Sequence, residues 1–295
     1  MSTRFLTLLQ REWMQHHFGW LLVMLVPPAL VLLILPFGSM DVPDRVPTSV
    51  VAAIALAGTS VTVFGLSWAV SMFQLPGLAR RDSQDRSIEF WLSLPGSHTE
   101  SIGATLLAHA LLAPLLALVV GAGAGLVMAA AAVVKLAGIG ALLQVSWGSL
   151  LVVGTAGLLR AALGVLLFSL WLAPIMLALM AASAWLKRWG TPVLIAGTIA
   201  LGVVLDKAYG NPIVWMLLKA QMEGANRAFI DANRTLGQMH DEPNLTADFV
   251  SKAVHWAAND ALSALGQLAS PHLLGGLLIA ASGFGLLILA RARSH

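Results

Sequence analysis

The sequence predicts an all-α polytopic membrane protein with six transmembrane helices and a helical insert lying outside the membrane. Three observations carry that expectation. Apolar runs of about 18 residues or more recur along the chain, and a helix needs about 20 residues to cross a hydrocarbon core of roughly 30 Å. The 295 residues are 58% hydrophobic and 11% charged, with a mean hydropathy of +0.83, far from the composition of a soluble domain. The basic residues stand in short groups at the ends of apolar runs, where they set orientation in a membrane. A net charge of +3 in that arrangement excludes a nucleic-acid binder despite the sequence pI of 9.7. There is no cysteine, so neither disulfides nor thiolate metal sites are available.

The first span is expected at residues 18–37, after an amphipathic stretch carrying Arg4, Arg11, Glu12, His16 and His17. No small-residue cleavage site follows it, so it reads as a retained span. Pro27 and Pro28 remove backbone donors and should kink or loosen it. The short Pro-rich loop "GSMDVPDRVPTS" returns the chain into a second span at 49–73. A third, at 104–134, covers about 46 Å at the helical rise of about 1.5 Å per residue, more than the membrane needs. Its Gly121 and Gly125 form a small-xxx-small pair that lets another helix approach closely.

The glycine-rich piece from 135 to 160, with Gln144, Ser146 and Trp147, reads as interfacial or re-entrant. The fourth span is expected at 161–185, ending in "WLKRWG", an aromatic and basic interface anchor. A short fifth follows at 192–205. Residues 206–270 have the composition of a soluble region. Asn211-Pro212 starts one helix running to about residue 239, and a second starts near Thr246 with an apolar stripe at Leu245, Phe249, Ala253, Ala257, Ala261 and Leu265. The last span, 273–290, ends in Arg291 and Arg293. The division is therefore 1–205 for the first five spans with an inner loop at 74–103, 206–270 for the external insert, and 271–295 for the last span and the C-terminus. Arg4, Arg11, Arg80, Arg81, Arg86, Lys187, Arg188, Arg291 and Arg293 fall on one side, so both termini are expected in the cytoplasm, with only Arg45 in the short outer loop.

Ionisable residues at membrane depth mark ion-coupled transport or intramembrane catalysis. By this reading the spans are nearly bare, His109 and Arg160 being the two candidates for a pathway. His109 reads as a neutral, hydrogen-bonded packing residue, and Arg160 as snorkelling to the outer interface. No HExxH, GxSxG, intramembrane Asp pair or GxxxxGK[ST] loop occurs. The chain is thus expected to have no catalytic, cofactor-binding or metal-binding residues, and not to be an enzyme.

"RSIEFWLSLPGSHTE", residues 86–100, breaks this apolar pattern. A helix from Asp82 would turn its charged positions to water or a partner, while Ile88, Trp91 and Leu92 share the other side. Leu94-Pro95-Gly96 stops it, and Ser97 lies three before Glu100, a capping-box spacing for the next helix.

With this segment the chain resembles the permease subunits of ABC-2 type ATP-binding-cassette exporters. The resemblance lies in "LLQREW", "DRSIEFWLSLPGS", "LWLAPIMLALMAASAWLKRWG" and "SPHLLGGLLIAASGFGLLILARAR". It implies six spans per subunit, an amphipathic N-terminal interfacial helix, a dimer with a second permease copy or homologue, and separate cytoplasmic ATPase subunits that hold ATP and Mg. The loop at 82–92 would be the coupling helix, with Arg81, Asp82, Asp85, Arg86, Glu89, Phe90 and Trp91 meeting the ATPase, and the helix around Arg11 and Glu12 lying alongside. Related chains tend to carry Lys near the start of the third span, where this one has Ala104 and Thr105. The expected function is ATP-driven export of an apolar or amphipathic substrate across a plasma membrane, the bacterial inner membrane. A stand-alone secondary transporter would need buried coupling carboxylates. A membrane scaffold or sensor would use the insert and ignore the loop.

Overall fold

The computed structural model describes residues 3–40, 46–84, 97–230 and 245–293, which are helical apart from short connections, with no strand among them. Helix α1, Thr3–Ile34, is a single helix that runs on into a 3-10 turn at Leu35–Phe37. Pro27 and Pro28 lie inside it without ending it, as membrane-spanning helices permit when neighbours cover the freed backbone. The amphipathic stretch and the first apolar run are therefore one rod, and no break sets off a separate N-terminal element.

Helix α2, Thr48–Gln84, and helix α3, His98–Ala137, share the most extensive contact among the described elements. The two glycines singled out in the sequence make this possible. A Cβ on Gly125 would lie 2.7 Å from the Leu56 carbonyl oxygen, and one on Gly121 would lie 3.1 Å from the Ser60 backbone. Helix α3 begins with the expected capping box: the Ser97 hydroxyl accepts from the Glu100 amide at 3.1 Å, and the Glu100 carboxylate accepts from the Ser97 amide at 3.2 Å. One turn of α3, Ala108–Leu112, is π-helical.

Gly138, at φ +79°, ends α3, and a 3-10 segment at Ile139–Gln144 leads to α4, Trp147–Leu186. The region from 135 to 160 is thus a tight connection plus the first turns of α4, not a re-entrant piece. The Trp147 indole donates to the Leu142 carbonyl at 2.9 Å and fastens this corner. The chain reverses through Lys187–Trp189 into α5, Gly190–Tyr209. A Cβ on Gly190 would lie 2.2 Å from the Ala182 carbonyl oxygen, so only glycine fits where α5 turns back against the end of α4. Gly210, left-handed at φ +61°, closes α5 by donating to Asp206 and Leu205.

Helices α6, Ile213–Phe229, and α7, Ala247–Gly266, form the insert; the Thr246 hydroxyl caps α7 by accepting from the Phe249 amide at 3.2 Å. Neither is set apart from the bundle. Both pack on α4, where Gly224 of α6 lies so close to the Trp171 ring that any side chain there would collide with it. Helix α8, Pro271–Arg293, runs along α4. The Trp185 indole donates to the Leu286 carbonyl at 3.1 Å, and the Arg293 guanidinium lies over the Trp185 ring. The core centres on α4, with Leu167, Trp171, Met176 and Met180 meeting Leu75 of α2, Ile102 of α3 and Leu273, Ala280 and Leu287 of α8.

Five helical stretches among the described residues are long and apolar enough to cross a membrane: Arg4–Phe37, Thr48–Arg80, His98–Ala137, Trp147–Tyr209 and Pro271–Arg293. The fourth comprises α4 and α5. The outer faces of these helices are apolar too, with Phe18, Phe73 and Leu278 largely exposed, which suits lipid rather than water as the surrounding solvent.

Candidate functional site

Among the described residues, the fully buried ionisable side chains, Glu12, His109, Arg160 and Asp260, fall in two places. The first joins α1 to α3. Glu12 and His16 are one turn apart on α1 and share a face. His109 lies in the π-helical turn of α3, where the Ala113 amide donates to the Ala108 carbonyl. Such a turn adds a residue to the helix and redirects the side chains on it. Glu12 and His109 are both completely buried.

The two oxygens of the Glu12 carboxylate have different surroundings. Oε1 accepts from Arg11 Nη2 at 2.8 Å and from the Thr105 hydroxyl at 3.0 Å. Oε2 faces the imidazoles, 3.6 Å from His109 Nε2 and 3.8 Å from His16 Nε2. These separations exceed hydrogen-bond length, and both ring nitrogens of His109 are buried without a hydrogen-bond partner. Trp20, a turn beyond His16, stacks on His16 with ring centres 5.9 Å apart and meets His109 edge-on at 5.1 Å. The two imidazoles are themselves edge to face, 4.6 Å apart.

The second place joins α4 to the insert. Arg160 meets Asp260 of α7 through two contacts to Oδ2, Nη2 at 2.7 Å and Nε at 2.8 Å. Arg160 also donates to the Ala228 carbonyl near the end of α6, at 3.2 and 3.3 Å. Both partners are about 2% exposed or less. Beside them Phe229 stacks flat on Phe64 of α2 at 5.1 Å, and a Cβ on Gly164 would lie 2.6 Å from the Phe229 carbonyl oxygen.

A cavity of about 690 Å³ lies between α4, α5, α6 and α8. It is apolar apart from a few groups such as Thr198, Gln221 and His272, and its size is in the range that takes a drug-sized molecule or part of a lipid chain. The Gln221 side chain at its wall donates to the Trp171 carbonyl.

Three expectations change. Arg160 does not reach toward an interface: a carboxylate oxygen that accepts from two of its nitrogens and a helix-end carbonyl make burial the better state for its guanidinium. Glu12, expected on an amphipathic interfacial stretch, points into the bundle, where Thr105 and Arg11 supply the hydrogen bonds a buried carboxylate requires. The bundle is accordingly not bare of buried carboxylates, holding Glu12 and Asp260. His109 packs against aromatic rings, but beside a carboxylate and without the hydrogen bond expected of it. Arg11 is mostly buried and paired with Glu12. Arg81 and Asp82 lie on the last turn of α2, their side chains outside the described residues, as are Asp85, Arg86, Glu89, Phe90 and Trp91 altogether.

The sequence reading missed the grouping of His16 with Glu12 and His109, and of Asp260 with Arg160. The four-residue spacing of Glu12 and His16 was a usable signal for the first. Nothing local pairs Arg160 with a residue a hundred positions later. No family model, curated protein or solved structure matches the chain.

Proposed function

We propose that the chain is the membrane-spanning subunit of an ATP-driven exporter, with hydrolysis performed by a separate cytoplasmic ATPase that binds ATP and Mg. One observation carries this reading. Helix α2 continues as a single helix to Gln84, and α3 resumes with a full capping box at Ser97. These two helix ends flank residues 85–96, whose sequence is charged and aromatic, and the start of α3 packs on the N-terminal turns of α1. Such a segment can pass a rigid-body push from a partner into the bundle. The apolar cavity supports an apolar or amphipathic substrate.

On this reading α5 is a sixth span: its 20 residues cover about 30 Å, and it turns back beside α4 at Gly190. The first turns of α1 lie at the cytoplasmic interface, and a second permease copy or homologue completes a dimer in the bacterial inner membrane. Chain isolated from its native membrane in mild detergent should carry Mg-ATP hydrolysis through size-exclusion chromatography. Its absence from otherwise intact protein contradicts the proposal.

The buried Glu12 beside His109 favours a second reading, ion-coupled transport by the chain alone. That reading requires purified chain in liposomes to move protons or cations without nucleotide, and Glu12→Gln to abolish the flux.

A further inference from the structure

We propose that Glu12, His16 and His109 form a binding site for one divalent first-row transition-metal ion, with zinc the best fit. Two imidazoles and a carboxylate are a ligand set suited to zinc and its neighbours. The three ligand atoms lie within 4.8 Å of one another. Bonds of about 2.0–2.1 Å in a tetrahedral site place ligand atoms about 3.4 Å apart. The two carboxylate-to-imidazole separations, 3.6 and 3.8 Å, are a few tenths of an ångström wider than that.

The carboxylate is set up for the role. Arg11 and Thr105 both bond Oε1, while Oε2 is the oxygen turned to both imidazoles. Outer hydrogen bonds of this kind fix the orientation of a metal-binding carboxylate. His109 supplies an independent indication. It is wholly buried, has no hydrogen bond at either ring nitrogen, and presents Nε2 to the same oxygen. A neutral packing imidazole left this way forfeits its hydrogen bonds with no return; a metal bond supplies the missing partner. Three protein ligands leave a fourth position for water. An ion held there would fasten α1 to α3 beneath Trp20.

The inference does not depend on the transport reading. The full-length chain, without a histidine tag, is treated with chelator in detergent and titrated with Co2+. Absorption bands and metal analysis report coordination and stoichiometry. One Co2+ per chain is expected, with the visible bands of four- or five-coordinate nitrogen and oxygen ligation, displaced by Zn2+. His109→Gln should weaken binding by more than the roughly 10–100-fold loss expected on removing an outer partner, as in Thr105→Val. His17→Gln, altering a neighbouring histidine whose Nδ1 faces the Trp13 and Met14 carbonyls, should leave the titration unchanged. Thermal unfolding with and without Zn2+ reads the same site in the wild-type chain, should His109→Gln not fold. The proposal is overturned if the wild-type chain takes up no stoichiometric Co2+ and gains no thermal stability from Zn2+. Unchanged affinity in both His109→Gln and Thr105→Val overturns it equally.

Discussion

Arg160 with Asp260 and Glu12 with His109 are both buried polar groupings between helices far apart in sequence, yet they are completed to different degrees. Asp260 accepts two charge-assisted bonds through Oδ2, and Arg160 spends further donors on the Ala228 carbonyl. At the other grouping Oε1 of Glu12 is bonded by Arg11 and Thr105, while neither ring nitrogen of His109 has a hydrogen bond. A buried pair whose charges meet each other directly needs no ligand to offset its burial and serves to hold elements in register. An incomplete one has unmet bonding capacity, which a protein keeps buried at a cost unless something binds there. The difference separates a clamp that holds the insert on α4 from a place where the bundle can receive a ligand.

That contrast can be broken at its strongest point. Asp260→Ala leaves the Arg160 guanidinium buried and uncompensated, and should destabilise the chain by about 3–5 kcal/mol, measured by denaturant unfolding in detergent. Glu12→Gln removes charge-assisted bonds from Arg11 and Thr105, worth about 1.5–3 kcal/mol, and should have a smaller effect in the same assay. An equal or larger loss at Glu12 would mean that the α1–α3 grouping is as much a structural clamp as the other. Thr105→Val removes one hydrogen bond and should cost about 1 kcal/mol. Thr246→Ala removes the cap of α7 for a similar amount, within about 0.5–2 kcal/mol, and should leave the α1–α3 grouping untouched.

Much of the bundle was legible because apolar runs and caps are local signals. Ser97 with Glu100, Thr246, and the reversal after "WLKRWG" lie where the sequence put them. Gly121 and Gly125 mark the most extensive helix contact because only a missing Cβ admits the backbone of α2. The continuity of α1 was not legible, since prolines that stop a helix in water are tolerated where neighbouring helices enclose it. The start of α4 at Trp147 was obscured by glycines that read as a loop. The groupings themselves were hidden for a different reason. Glu12 and Arg160 look like surface residues by type, and only the long-range packing of α1 on α3 and of α7 on α4 supplies the partners that make burial possible. Where the sequence showed two isolated ionisable groups, His109 and Arg160, the fold gives each a carboxylate.

The functional reading places the working contact at the α2–α3 loop and a structural role at the insert, so one assay on two variants tests it most directly. Mg-ATP hydrolysis co-isolated with the chain should be lost in the double variant Glu89→Arg, Phe90→Ala and retained in Thr246→Ala. Hydrolysis that survives the loop variant undiminished, or that is absent from the wild-type chain, would contradict the account.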